Sequence, residues 1–492
     1  MREVNTVAWL SGLRTAVGRD IGLGEVPSTE WDRLAAGVDA VWLMGVWERS
    51  DAGRAVALAD EANRASFSAA LPDWTEADVV GSAYSIGSYS VATWLGGGAG
   101  LRAARRELAE RGAGLVVDFV PNHVGLDHPW LTTHPEAFIR GDQADLQRSP
   151  EDFFAVGDQV VAHGRDPFFP PWRDVAQLNF FSPAYRELAI ATLTQIAASA
   201  DAVRCDMAML GLNDVVANTW GHRAGEPGAQ PFWVEVVAAV RATHPNLGFL
   251  AEAYWDREDD LLAQGFDACY DKTLYDRLLV ADPAGVRAHL AGRPGPRVVR
   301  FVENHDEPRA AAAFSRLDHQ QAATVAVATL PGVTLWFEGQ FAGHRVRLPV
   351  FLRRDREEAA DAERATFHAA LAAAMTELRP ADGVFALADT HGWPDNQSHT
   401  RLLAWTWTAP TSRVVVVVNL AADPSAGLVS LPWQDLADRR WALRDPLAGA
   451  TLVRDGDELA RDGLFVDLGP FGVHTFVLDQ PPVAGLTAGD GD

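Results

Sequence analysis

Short runs of apolar and β-branched residues recur along the chain, bounded by Gly, Pro or charged residues and separated by longer segments of helical period. Eight of these runs have strand length: residues 7–10, 40–43, 115–120, 202–206, 248–252, 267–270, 298–304 and 333–337. Several are apolar at consecutive positions, as in LVVDFV at 115–120, the pattern of strands buried on both faces of a parallel sheet. Between them, residues 101–111, 184–198, 231–243 and 310–330 carry apolar positions at helical spacing, and Gly112, Gly114 and Gly248 stand where helix hands over to strand. Eight strands alternating with helices predict an α/β fold, a closed (β/α)8 TIM barrel.

Two stretches break the alternation. Residues 126–181 are rich in Pro, Asp, His and aromatics and lack a long periodic segment, which predicts a subdomain inserted after strand 3 beside the carboxyl-end face. After a last helix over 359–378 the pattern changes to short strands with turn residues between them, from LLAWTWT through RVVVVVNL to GVHTFVL. These predict a C-terminal antiparallel β-sandwich over 383–478, followed by a flexible tail at 479–492. The barrel then comprises 1–125 and 182–380.

Composition narrows the partners. A formal net charge of −24, from 66 acidic and 42 basic residues, opposes binding to nucleic acid or an anionic membrane surface. The first residues lack an apolar core of signal-peptide length, and the longest aliphatic run, 414–418, is too short to span a bilayer. Cys205 and Cys269, two in 492 residues, form no disulfide framework and are expected to be reduced core thiols. A cytoplasmic protein is the expectation. Seventeen Trp and 22 Phe suit stacking on sugar rings, although most large aromatics fill cores.

The chemistry sits where the strand runs turn polar: Asp118 to His123, Arg204-Cys-Asp206, Glu252 after LGFLA, and Glu303-Asn-His305-Asp306. In a barrel these positions gather at the carboxyl-end face. Read in order, the four clusters resemble the four signature regions of the α-amylase family of retaining glycosidases and transglycosidases. That resemblance implies Asp206 as nucleophile, Glu252 as general acid and then base, and Asp306 as the third acid that stabilises the transition state. It also implies His123 and His305 as ligands of the sugar hydroxyls, and Tyr84 as a ring for the sugar to stack on. Arg204, two residues before Asp206, points to the same side of its strand and can hold the nucleophile ionised. Crowding with two other carboxylates in a partly desolvated pocket would raise the pKa of Glu252 toward neutrality.

Departures from the family pattern sharpen the expectation. Calcium-dependent members use the Asn of the first region, an Asp of a fifth region and a His after the nucleophile; here Asn122 is present, but Gln177 and Leu210 occupy the other positions. No cofactor and no calcium at that site are expected, because a hard cation wants six to eight oxygen ligands. Met209 and Leu210 stand where many starch-degrading members carry Lys-His, and are expected to make that side of the cleft apolar. His163, Asp166 and the aromatics of 167–172 are expected either to line the cleft or to pack a loop. The reading is a retaining hydrolase of short α-linked glucans with a small oligosaccharide as substrate. A transglycosidase or isomerase of the same family is the alternative, and a catalytically silent binding scaffold a third, which the presence of all three acids, Arg204 and both histidines counts against.

Overall fold

Parallel strands close into a barrel. In a computed structural model of the chain, which describes residues 1–292 and 295–479, seven of them pair in chain order: β1 (Arg2–Asn5), β2 (Ala40–Met44), β3 (Gly114–Phe119), β4 (Ala202–Cys205), β5 (Gly248–Ala251), β6 (Ala268–Tyr270) and β7 (Val298–Arg300). The eighth, β8, is interrupted at Leu335: Val333–Thr334 pairs with β7 and Trp336–Phe337 pairs with β1, so the two pieces close the ring. The tail expected at 479–492 falls, from 480 onward, outside the described residues.

One strand lies elsewhere than the apolar pattern placed it. Residues 7–10 belong to a helix, Thr6–Val17, and the first barrel strand is Arg2–Asn5. Asn5 ends the strand and caps the helix, its side-chain oxygen accepting the Ala8 N–H at 3.3 Å. Val7 and Leu10 are buried three residues apart, on one helix face. The charges of Arg2 and Glu3 disguised the strand, since both side chains are buried. The helix expected over 310–330 is likewise two, Ala310–Ala313 and Leu317–Thr329, with extended backbone at Arg316 between them.

Period-two alternation sorts each barrel strand. Val41, Leu43, Leu115, Val117, Val203 and Phe249 face outward into the main core with the surrounding helices. Trp42, Met44, Val116, Tyr270, Val299 and Leu335 fill the barrel interior. The same alternation turns Glu3, Asp118 and Arg204 inward, above that apolar layer.

Between β3 and β4 the chain builds a five-stranded antiparallel sheet from His123–Gly125, Arg140–Gly141, Phe153–Val156, Gln159–Gly164 and Trp172–Gln177. Pairing of Gln177 with His123 ties this sheet to the end of β3. The C-terminal region holds a six-stranded and a three-stranded sheet. Its strand Ser412–Asn419 carries five consecutive buried valines, 414–418, because both faces are covered. Val414, Val416 and Val418 pack with the helices Leu317–Thr329 and Ala362–Leu378, while Val415 and Val417 face the core between the two sheets. Among the described residues no helix is long and apolar enough to cross a membrane, and Cys205 and Cys269 are buried.

Candidate active site

Strand register brings the candidate acids together. Cys205 pairs with both Phe119 and Ala251, and the ladder continues one step past the strands: Asp206 N–H donates to Phe119 O at 2.9 Å and Glu252 N–H to Cys205 O at 3.0 Å. Asp206 and Glu252 therefore emerge side by side. Beneath them the fully buried Arg204 places Nη1 2.7 Å from Asp206 Oδ1 and Nη2 2.8 Å from Glu252 Oε2. Its guanidinium rests against Trp42, Tyr84 and Tyr270, with ring centroids 5.2, 5.3 and 5.6 Å away. A buried cation is tolerated only when paired, and here one guanidinium serves two carboxyls.

The two carboxyls have different surroundings. Glu252 accepts the Met207 N–H at 2.6 Å and the Tyr254 O–H at 2.7 Å. Met207 adopts a left-handed backbone, φ 42°, uncommon for a residue with a side chain and a mark of functional sites. Burial pushes the Glu252 carboxyl up to about 7, against the opposing pull of Arg204 and with further upward push from Asp206 and Asp306. Burial also raises Asp206, but Arg204 restrains it by charge and by hydrogen bond.

A second chain of polar groups starts on β1. Glu3, fully buried, meets His305 Nδ1 at 2.5 Å. His305 Nε2 lies 2.7 Å from Tyr84 Oη and 3.0 Å from Asp306 Oδ2. Burial opposes a charge on His305, yet Asp306 and Glu3 together raise its pKa well above the ordinary value. Burial likewise opposes charge on Asp306, and His305 overrides it, holding the carboxyl at about 2. The site thus sets an acid that stays ionised at neutral pH, Asp306, beside one that exchanges its proton near neutral pH, Glu252, the separation that acid–base work requires.

A cavity of about 310 Å³ opens above these groups, lined by Tyr84, His123, Asp206, Glu252 and Asp306, with Arg204 and His305 in its buried floor. All seven residues singled out from the sequence converge there. Trp172 and Asp174 of the inserted sheet close a further side. His123 is kept neutral by burial, which lowers it to about 3. Met209 and Leu210 do not form the apolar side expected of them: the left-handed turn at Met207 folds them into the short helix Ala208–Gly211, where both are buried away from the cavity, and Met207 takes the lining position. Of the insertion residues, His163 bonds Val175 O and stacks on Phe154, and Asp166 accepts the N–H groups of Phe168 and Phe169. Both brace loops, while Trp172 reaches the cavity.

Over 346 aligned residues the chain is 27% identical to the α-amylase MalA of Haloarcula japonica, a match covering 66% of this chain and 45% of that protein, so it spans less than half of that relative. The chain is similar in sequence to an α-amylase over part of its length and shares its fold with solved α-amylases. The maltogenic α-amylase AmyB of Thermotoga neapolitana superposes with a TM-score of 0.67 at 18% identity, covering 97% of both chains. The acarbose-complexed α-amylase of Geobacillus thermoleovorans gives 0.65 at 17% identity, covering 97% of this chain and 98% of that one. No protein-family model matches the chain.

At the family's calcium position the side chains bond one another. Gln177 Nε2 donates to Asn122 O at 3.0 Å, to Asn122 Oδ1 at 2.9 Å and to Leu178 O at 3.0 Å, and Asn122 Nδ2 donates to Gln177 Oε1 at 3.2 Å. An amide N–H₂ group therefore faces the oxygens a cation would need. The family motifs also left residues unread. Glu3 escaped because its strand was misplaced, and Tyr254, two residues past Glu252, carries no sequence mark separating it from a core aromatic. Asp174 is visible only once the insertion is folded, whereas Trp172 stands among the aromatics expected to line the cleft or pack a loop.

Proposed function

We propose that the chain is a retaining α-glycoside hydrolase of short α-linked glucans, working by double displacement. The observation that carries this is the single Arg204 guanidinium reaching both Asp206 and Glu252, which supports the close carboxyl spacing of about 5–5.5 Å needed for retention. In the first step Asp206 attacks the anomeric carbon while Glu252 gives its proton to the departing glycosidic oxygen. In the second, Glu252, now a carboxylate, takes a proton from water as the water oxygen displaces Asp206 from the anomeric carbon. Two inversions leave the configuration unchanged. Charged Asp306, fixed by His305, lies against the oxocarbenium-like transition state, and Tyr84 and neutral His123 contact the ring. Two cysteines in 492 residues, too few for a disulfide framework, suit a reducing compartment.

Time-resolved proton NMR with maltoheptaose, maltose, isomaltose, trehalose and sucrose tests the reading. The α-anomer is expected to appear first; initial release of the β-anomer would sink retention. Products longer than the substrate would instead favour the transglycosidase alternative.

Glu3 is proposed as a positioning residue acting through His305. A charge-assisted hydrogen bond is worth about 1.5–3 kcal/mol, so Glu3→Gln is expected to lower kcat/KM by about 10- to 100-fold. The same substitution should lower the His305 pKa, read by NMR titration, a change that a merely structural residue would not produce.

The reading includes no structural calcium, on the strength of the Asn122–Gln177 amide pair. Excess chelator is expected to leave both activity and Tm unchanged in a scan at neutral pH. A drop of several degrees, reversed by added calcium, would contradict it.

A further inference from the structure

We infer that the glycone side of the cavity is a blind pocket for a single sugar ring, so that the protein removes one hexose at a time from non-reducing chain ends. The inference rests on the hydrolase reading and adds the substrate end and the product size. Around the barrel, β1 is flanked by β2 and β8 and stands opposite β5. Glu252, which ends β5, marks the side on which the leaving group departs. In a ring whose C1 sits at Asp206 with its leaving oxygen at Glu252, the opposite end, bearing O4, points toward the β8–β1–β2 side.

That side is walled. The segment after β2 and the segment after β8 are joined by a short antiparallel bridge, Val79 to Leu352. Val80 N–H donates to Phe351 O at 2.8 Å and Arg353 N–H to Asp78 O at 2.9 Å. Arg54 and Arg49 add side-chain ties to the backbone, Arg49 Nη1 donating to Gly81 O at 2.6 Å and to Val350 O at 2.9 Å. On the outer face Arg354 pairs with Asp78 at 3.0 Å and with Asp73 at 3.1 Å. Val79 and Leu352 are buried in a small core with Phe67 and Leu71, so the seam is packed as well as hydrogen-bonded. On its inner face Ser82 and Phe351 line the cavity beside Tyr84. A second sugar attached at O4 would have to occupy the space that this seam fills, whereas chain-internal cleavage needs an open end there.

The test compares two substrates with the intact protein: p-nitrophenyl α-maltoheptaoside with a free non-reducing end, and the same glycoside closed at that end by a 4,6-O-ethylidene group, products followed by mass spectrometry. From the free substrate, one hexose and the p-nitrophenyl hexaoside are expected as the first products, and the blocked substrate is expected to react about 100-fold more slowly or less. Comparable cleavage of both, or a disaccharide or longer first product from the free glycoside, would overturn the blind pocket while leaving the hydrolase reading standing. No cleavage of either by protein that melts cooperatively would remove the hydrolase reading and this inference together.

Discussion

Asp206→Asn is expected to fold, to bind oligosaccharide, and to lose turnover by about 10⁴-fold or more. The substitution keeps an oxygen that can accept the Arg204 Nη1–H bond, now 2.7 Å long, and changes no volume in the tightly filled floor. Burial raises the Asp206 pKa from its ordinary 3.8 despite Arg204, so the folded protein holds this carboxylate at a cost, and the neutral amide removes that cost above neutral pH. Tm at pH 7.5 is therefore expected to be no lower than that of the parent. Binding should survive because Tyr84, His123 and Asp306 remain in the cavity. Chemistry should not, because an amide cannot form the glycosyl ester. A 2-deoxy-2-fluoro glycosyl fluoride gives the positive counterpart: a covalent adduct in the parent, located by peptide mass spectrometry on Asp206, and none in the variant. An adduct on another carboxylate would reassign the nucleophile.

The barrel was legible because its outward strand faces are continuous apolar runs, and the acids were legible because each closes such a run. Strand alternation then made Arg204 and Asp206 neighbours on one side, which the 2.7 Å contact bears out. Failures occurred where a charged residue is buried or where an apolar one faces no core of its own strand. Arg2 and Glu3 sit inside the protein, a placement that hydropathy reads as loop, so β1 was displaced into the apolar positions of the following helix. Met209 and Leu210 stand where the resemblance places a Lys-His pair on the cleft wall, and that correspondence fails once Met207 takes φ 42°. The wall between residues 78–82 and 350–354 could not be read at all. Its two halves are distant in sequence, and backbone groups, which carry no residue-specific mark, make several of its hydrogen bonds.

The pH dependence of the reaction is expected to turn on Glu252. A general acid works only while it holds its proton, and burial keeps that proton on Glu252 up to about pH 7, so kcat/KM should fall on the alkaline side with a midpoint near 7. Glu252→Gln is expected to abolish that limb and to lower kcat on glucosidic substrates by about 10²- to 10⁴-fold. The loss should depend on the leaving group. An α-glucosyl fluoride needs little protonation to depart, so its first step survives in the variant, and azide, which needs no general base, should then restore turnover and give an α-glucosyl azide. An alkaline limb that persists in Glu252→Gln would place the acid elsewhere. Stability carries the same signature with an independent readout. The folded pKa lies above the ordinary 4.5, so between about 4.5 and 7 the native state keeps a proton that the unfolded chain has released, and stability declines as pH rises through that window. Glu303, raised by burial to about 7, and Asp118, raised by burial to about 6, act in the same direction. Removing Glu252 should therefore reduce, without abolishing, the fall in Tm between pH 5 and pH 8. The carboxyl proposed as the general acid is one that the fold would hold more cheaply as an amide, and the two measurements together connect its proton to its cost in stability.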